Sequence, residues 1–159
     1  MSIRVDRVSL LADAPGDATL AEVEATLEPM GLTLGLDRAA WDGVAALGVG
    51  EWLAGGAKGA RDAWLDPADH LVAGLEAELV TGRTLVVRPA PRRSTGPDLV
   101  ALVVGAGGRF ATARRAWLRV HEKAARIPAT SPFTAERDPP VTEPEERMLA
   151  AILREMVAT

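Results

Sequence analysis

The 159-residue chain contains no cysteine and no tyrosine, and only two histidines and two phenylalanines. Without cysteine there is no disulfide, no thiolate nucleophile, no iron–sulfur cluster and no cysteinyl link to a cofactor. Without tyrosine, a common phenolic acid or base is excluded as well. His70 and His121 stand far apart, and neither has the helical two-histidine spacing with a carboxylate that a zinc or iron site uses. His70 as a general base lacks a partner that can be named, so no catalytic and no metal-ligating residue is assigned. Long hydrophobic runs are missing too. The stretch 99–104 is far shorter than the roughly 20 residues a membrane span needs, and the N-terminus lacks a basic start followed by an apolar core. A cytoplasmic location with no membrane contact is therefore expected. Charge of one sign is also scarce: 18 basic against 22 acidic residues leave a net charge of −4, and no basic stripe marks a nucleic-acid partner.

A hydrophobic content of 48% is enough for one domain with a real core. Residues 3–10 are rich in β-branched side chains and predict a strand, with Asp13-Ala14-Pro15-Gly16-Asp17 as the turn after it. Thr19 and Glu22 have capping-box spacing, in which hydroxyl and carboxylate each satisfy an orphan N–H, and Leu20, Val23, Leu27 and Met30 then line one helical face up to Gly31. Short elements are expected over 32–36, 39–47 and 49–54, the last leaving through Gly55-Gly56-Ala57-Lys58-Gly59. From Leu71 to Val80 an alternation of period two predicts a half-buried strand, and Thr81-Gly82 turns it into a hairpin partner over 84–88 that ends at Pro89. Pro97 suits the first position of a short helix, Gly105 a left-handed cap, and Ala116, Leu118 and Val120 one face of a last strand. Trp41, Trp52, Trp64 and Trp117 read as core or interface residues.

Beyond His121 the composition changes. Pro128, Pro132, Pro139 and Pro140 mark residues 124–142 as a linker, after a domain spanning 1–123. Over 143–158, Thr142 and Glu145 make a second capping box, and Met148, Leu149, Ile152, Leu153 and Met156 form an apolar stripe. Burying such side chains is worth roughly 1.5–3 kcal/mol each before ordering costs, so the stripe is expected to dock, on the chain's own sheet or on a partner chain.

Several of these segments fall in a familiar order. Thr19-Leu20-Ala21-Glu22 is followed by Gly31-Leu32-Thr33-Leu34-Gly35-Leu36, then Gly48-Val49-Gly50-Glu51, then Asp69-His70-Leu71-Val72-Ala73-Gly74-Leu75-Glu76, and finally Gly105-Ala106-Gly107-Gly108-Arg109-Phe110-Ala111. The set resembles the second half of the FAD-binding domain in the vanillyl-alcohol-oxidase, or PCMH-type, family of FAD-linked oxidases, over about residues 1–121. The resemblance implies an α+β fold: a mainly antiparallel sheet of about four or five strands with helices packed on one face. It implies FAD as cofactor and flavin-facing positions at Val49, Gly50, Gly59, Val72, Gly105 and Gly108, where small residues let backbone approach the cofactor.

The departures from the family pattern are specific. Where the family has a Thr-Val-Gly-Gly turn, this chain has Gly48 in place of the hydroxyl and Glu51 in place of the second glycine. Gly105-Ala106-Gly107-Gly108 lacks the hydroxyl and carboxylate of the family's Gly-Ser-Glu-Gly, and reads either as an anion-binding nest or as a simple cap. Lys58 and Arg61 are either phosphate ligands or solvated loop charges, and Arg92, Arg93, Arg114 and Arg115 either an acidic-partner patch or solubility residues. The family's diphosphate-binding first lobe has no counterpart before Ile3, and its substrate cap none after His121. The resemblance thus implies a truncated, non-catalytic relative that acts as a binding or accessory subunit, self-associated or with a partner protein. The alternative is one part of a split FAD-dependent oxidoreductase, completing a flavin site with another chain.

The apolar stripe gives a first test. Replacing Ile152 and Leu153 together with Asp is expected to lower either the urea midpoint or the association state of the protein; if both stay unchanged, the stripe is not buried.

Overall fold

The computed structural model describes residues 2–60, 71–89 and 99–123. All of them belong to the compact unit Met1–Ala129. The expected linker at 124–142 and helix at 143–158 lie outside the described residues, as do His70, Trp64, Arg61 and Pro97.

The chain opens with a hairpin, β1 (Arg4–Asp6) and β2 (Leu11–Pro15), in place of the single strand that the β-branched run predicts. The Asp6 carboxylate breaks that strand. It accepts the N–H of Val8 at 2.9 Å and of Ser9 at 3.1 Å, and Leu10 sits at φ 51. Such an aspartate-bonded turn offers the backbone an alternative to the ladder. Asp13-Ala14-Pro15 then lies inside β2, and the chain turns at Gly16.

Helix α1 (Leu20–Leu27) starts at the expected capping box: Thr19 Oγ1 accepts from the Glu22 N–H at 3.2 Å, and Glu22 Oε2 accepts from the Thr19 N–H at 2.8 Å. Leu20, Val23 and Leu27 are buried, whereas Met30 belongs to a 3-10 turn (Glu28–Met30) and is half-exposed. Gly31, at φ 71, closes that turn. A short strand β3 (Leu32–Thr33), α2 (Arg38–Val44, capped by Asp37) and α3 (Val49–Ala54) follow. Then come β4 (Val72–Leu79), β5 (Thr84–Val87), a 3-10 turn (Leu99–Leu102), β6 (Ala111–Arg119) and β7 (His121–Glu122).

Five strands make one antiparallel sheet in the order β1-β2-β6-β4-β5, and β3 pairs with β7 in a separate two-stranded ladder. The fold is α+β with a mainly antiparallel sheet, as the resemblance implies. One face of the central strands is lined with small side chains: Ala12 and Ala14 of β2, Ala77 of β4, and Ala111, Ala113 and Ala116 of β6 are all buried. Helix α3 packs on β2 and β6 over this alanine surface. Trp52 fills the space beside it, fully buried, with its indole N–H donating to the Lys58 carbonyl at 2.9 Å. Among the described residues every buried side chain is apolar.

Leu20 is wholly buried at the first turn of α1, and its truncation leaves a cavity that a small sheet-and-helix layer fills poorly. Leu20→Ala is expected to cost about 2–5 kcal/mol in urea unfolding, against less than about 0.5 kcal/mol for Met30→Ala on the solvent side.

Candidate functional site

The residues singled out by the resemblance gather around α3. The helix enters through Gly48 in extended backbone, which forms an isolated bridge with Thr19. Its first two N–H groups donate to strand-side carbonyls: Val49 to Ala18 at 2.9 Å and Gly50 to Gly16 at 2.8 Å. These are among the donors a helix start leaves without intrahelical partners. Backbone meets backbone here with no room between. A Cβ built on Gly50 would stand 2.7 Å from the Ala113 carbonyl oxygen and 3.3 Å from that of Gly16, one on Gly48 would stand 3.0 Å from the Gly16 oxygen, and one on Gly16 would overlap the Ala113 carbonyl. Strand β6 adapts at this point, because the register with β4 shifts between Glu76 and Ala77, opposite Arg115 and Ala113. The intervening Arg114 carbonyl accepts the Gly16 N–H at 2.8 Å.

The other end of α3 is closed by a segment far along the chain. Gly105 donates to the Leu53 carbonyl at 2.9 Å and Gly107 to that of Ala54, also at 2.9 Å. Arg109 turns back to Ala106 at 3.1 Å. The 105–108 loop therefore works as a C-terminal cap supplied in trans along the sequence, with Gly105 at φ 77 and Gly108 at φ 76. Gly59, at φ 83, turns the loop after α3: its carbonyl accepts the Asp37 N–H at 2.8 Å, and a Cβ on it would press on that of Ala40.

Val49, Gly50, Gly105 and Gly108 thus stand at the two ends of one helix, and Gly59 on the loop that leaves it. Val72 is elsewhere. It is buried in β4 opposite Leu118, about 15 Å along β6 from Ala113 at the rise of an extended strand.

The sheet face turned away from the alanines carries what sequence reasoning missed. Arg4, Asp6, Leu11, Asp13, Ala73, Pro89, Trp117 and Arg119 are among the residues lining a hollow of about 620 Å³. Next to Ala73, the chain at the end of β5 passes so close to Gly74 that a Cβ there would lie 2.6 Å from the Pro89 nitrogen and from the Val87 oxygen. Asp13 Oδ2 pairs with Arg115 Nη1 at 3.1 Å, the two side chains being part-exposed at 18% and 21%, while the Asp13 Oδ1 atom is shielded and has no hydrogen-bond partner. The signal was present as the outward alternation Arg115, Trp117, Arg119, but the inward alternation Ala116, Leu118, Val120 masks it when a strand is sought by its apolar side. A second hollow of similar volume lies between α1, α2 and β3, where Glu24 Oε1 accepts from Thr33 Oγ1 at 2.9 Å and the Leu34 N–H at 2.7 Å.

Among the described residues two carboxyls are held below their ordinary range, and both serve local architecture. Asp6 is lowered first by the Ser9 hydroxyl and then by the Ser9 and Val8 N–H groups, and Glu22 by the Thr19 N–H and then its hydroxyl. A lowered carboxyl adds stability above its unfolded-state value, and this is lost as pH falls through the lowered one. Among the described residues no group of three His, Asp or Glu is placed to hold a metal, and no helix is long and apolar enough to cross a membrane.

No family model matches the chain, and no curated protein does. Solved structures do. An alkyldihydroxyacetonephosphate synthase, determined in two crystal forms, superposes with TM-scores of 0.58 and 0.56 at 23% identity. The likeness covers 75% of this chain and 20% of the synthase, so the chain spans about a fifth of that protein's length. At that identity the likeness is one of fold.

The α3 contacts separate two kinds of glycine. Gly50→Ala forces a Cβ onto the Ala113 carbonyl and is expected to cost about 1–3 kcal/mol, as overpacking does, with a rise in proteolytic cleavage around α3. Gly108→Ala meets open space and carries only the left-handed penalty of about 1 kcal/mol. Thermal unfolding of the two variants reads the difference.

Proposed function

We propose that the chain is a FAD-linked-oxidase-like domain that works in the cytoplasm as a binding or accessory subunit and does not turn over a substrate by itself. The observation that carries the reading is the likeness to one fifth of a synthase chain, over three quarters of this one. The edge of the sheet supports association. Among the described residues strand β5 pairs on one side only, and its Val86 is 53% exposed, as is Val80 past the end of β4 at 70%. Edge strands with apolar side chains pair with other chains unless blocked. A second copy or a different subunit fits that edge.

A second reading is a split FAD-dependent oxidoreductase, in which another polypeptide completes a flavin site with this one. The ordered segments from Thr19 to Phe110 favour it, because they follow the resemblance in sequence order. The two readings differ in colour and in turnover.

The purified protein is expected to be colourless and to self-associate, or to bind its subunit, in a concentration-dependent way by light scattering; Val86→Glu weakens that association about tenfold or more. A strictly monomeric protein that oxidises a substrate unaided overturns the first reading. Bound flavin appearing only when a partner is co-expressed selects the second.

A further inference from the structure

The flavin-facing assignment rests on the same likeness as the function above, and the atoms around α3 disagree with it. A small-residue turn that serves a cofactor leaves a cradle which a Cβ would fill. Beside Gly48, Gly50 and Gly59 the cradle is already filled. The space beside Gly50 is taken by the Ala113 and Gly16 carbonyl oxygens, that beside Gly48 by the Gly16 oxygen, and that beside Gly59 by the Ala40 side chain. The occupants are this chain's own atoms, two of them main-chain oxygens, which repel a phosphate.

The engaged N–H donors point the same way. A diphosphate is held by backbone N–H groups, a helix start or cationic side chains. The N–H groups of Val49 and Gly50 donate to Ala18 and Gly16, those of Gly55 and Gly56 to carbonyls of α3 itself, and those of Gly105 and Gly107 to Leu53 and Ala54. The first turn of α3 carries Glu51, whose exposed carboxylate adds like charge to any approaching phosphate. The Trp52 indole N–H, another donor of this helix, is engaged by the Lys58 carbonyl.

We infer that the glycine turns at 48–50 and 105–108 hold this chain's own strand and helix backbone in place of a ligand. The described residues of these turns then offer no flavin-diphosphate site, and a flavin bound in any complex takes its diphosphate donors from outside them. The glycines are explained by the fold, so their presence says nothing of cofactor retention.

The test titrates the full-length purified chain with FAD and, separately, with riboflavin, following flavin fluorescence and the thermal midpoint. The expected result is no saturable change with either flavin up to about 1 mM, a concentration at which a site of micromolar affinity would be fully occupied and would raise the midpoint. Equal weak binding of FAD and riboflavin also supports the inference, because the diphosphate then adds nothing. FAD binding about tenfold or more tighter than riboflavin overturns it. Gly50→Ala adds an independent reading: its loss of thermal midpoint is expected to be the same with and without FAD, and restoration by FAD alone overturns the inference. These outcomes are separate from self-association and turnover, which test the accessory role.

Discussion

The close approach of α3 to the backbone of β2 and β6 is the constraint on which the rest of the domain depends. At Gly16, Gly50 and Ala113 three segments distant in sequence meet with main chain against main chain. Side chains larger than hydrogen at either glycine would push the helix off the sheet, and the alanines of β2, β4 and β6 keep the rest of that surface equally low. With helix and sheet this close, the N–H groups at the start of α3 reach strand carbonyls, and the helix, only six residues long, is tied at both ends by hydrogen bonds from outside itself. Six residues are too few to hold a helix by propensity in water, so tertiary contacts must do it.

That dependence explains which parts of the fold were legible in the sequence. The capping box of Thr19 and Glu22, the end at Gly31, the bounds of α3 and the hairpin of β4 with β5 are written in residues close together, and each stands where its pattern places it. The β1–β2 hairpin was hidden because Asp13-Ala14-Pro15 has turn chemistry in isolation. It becomes a strand only because β6 runs alongside, where Ala12 and Ala14 face Leu118 and Ala116. The helix expected after Pro97 proves to be a 3-10 turn over its described part, Leu99–Leu102. The glycines of 105–108 show as a loop, but that they cap a helix some fifty residues earlier is a tertiary fact.

The candidate site was legible only as a set of positions. Val49, Gly50, Gly105 and Gly108 do cluster on α3, while Val72 faces the core of the sheet at some distance from them. The open side of the sheet, with the Asp13–Arg115 pair and Trp117 beside the hollow, went unread because its residues alternate with a more conspicuous apolar series.

A glycine has two physical excuses, and they leave different traces. Where φ alone demands it, as at Gly31, Gly82, Gly107 and Gly108, no described protein atom lies within 4 Å of the position a Cβ would take. Where something must come close, the space is filled, and the identity of the occupant decides the function. At Gly74 it is the chain leaving β5, and at Gly16, Gly48 and Gly50 it is neighbouring strand backbone. A sequence motif records the glycine without recording the occupant. For that reason a pattern shared with cofactor-binding domains can persist through selection on packing alone: losing Gly50 would strain the contact between α3 and β6 whether or not a ligand had ever lain nearby.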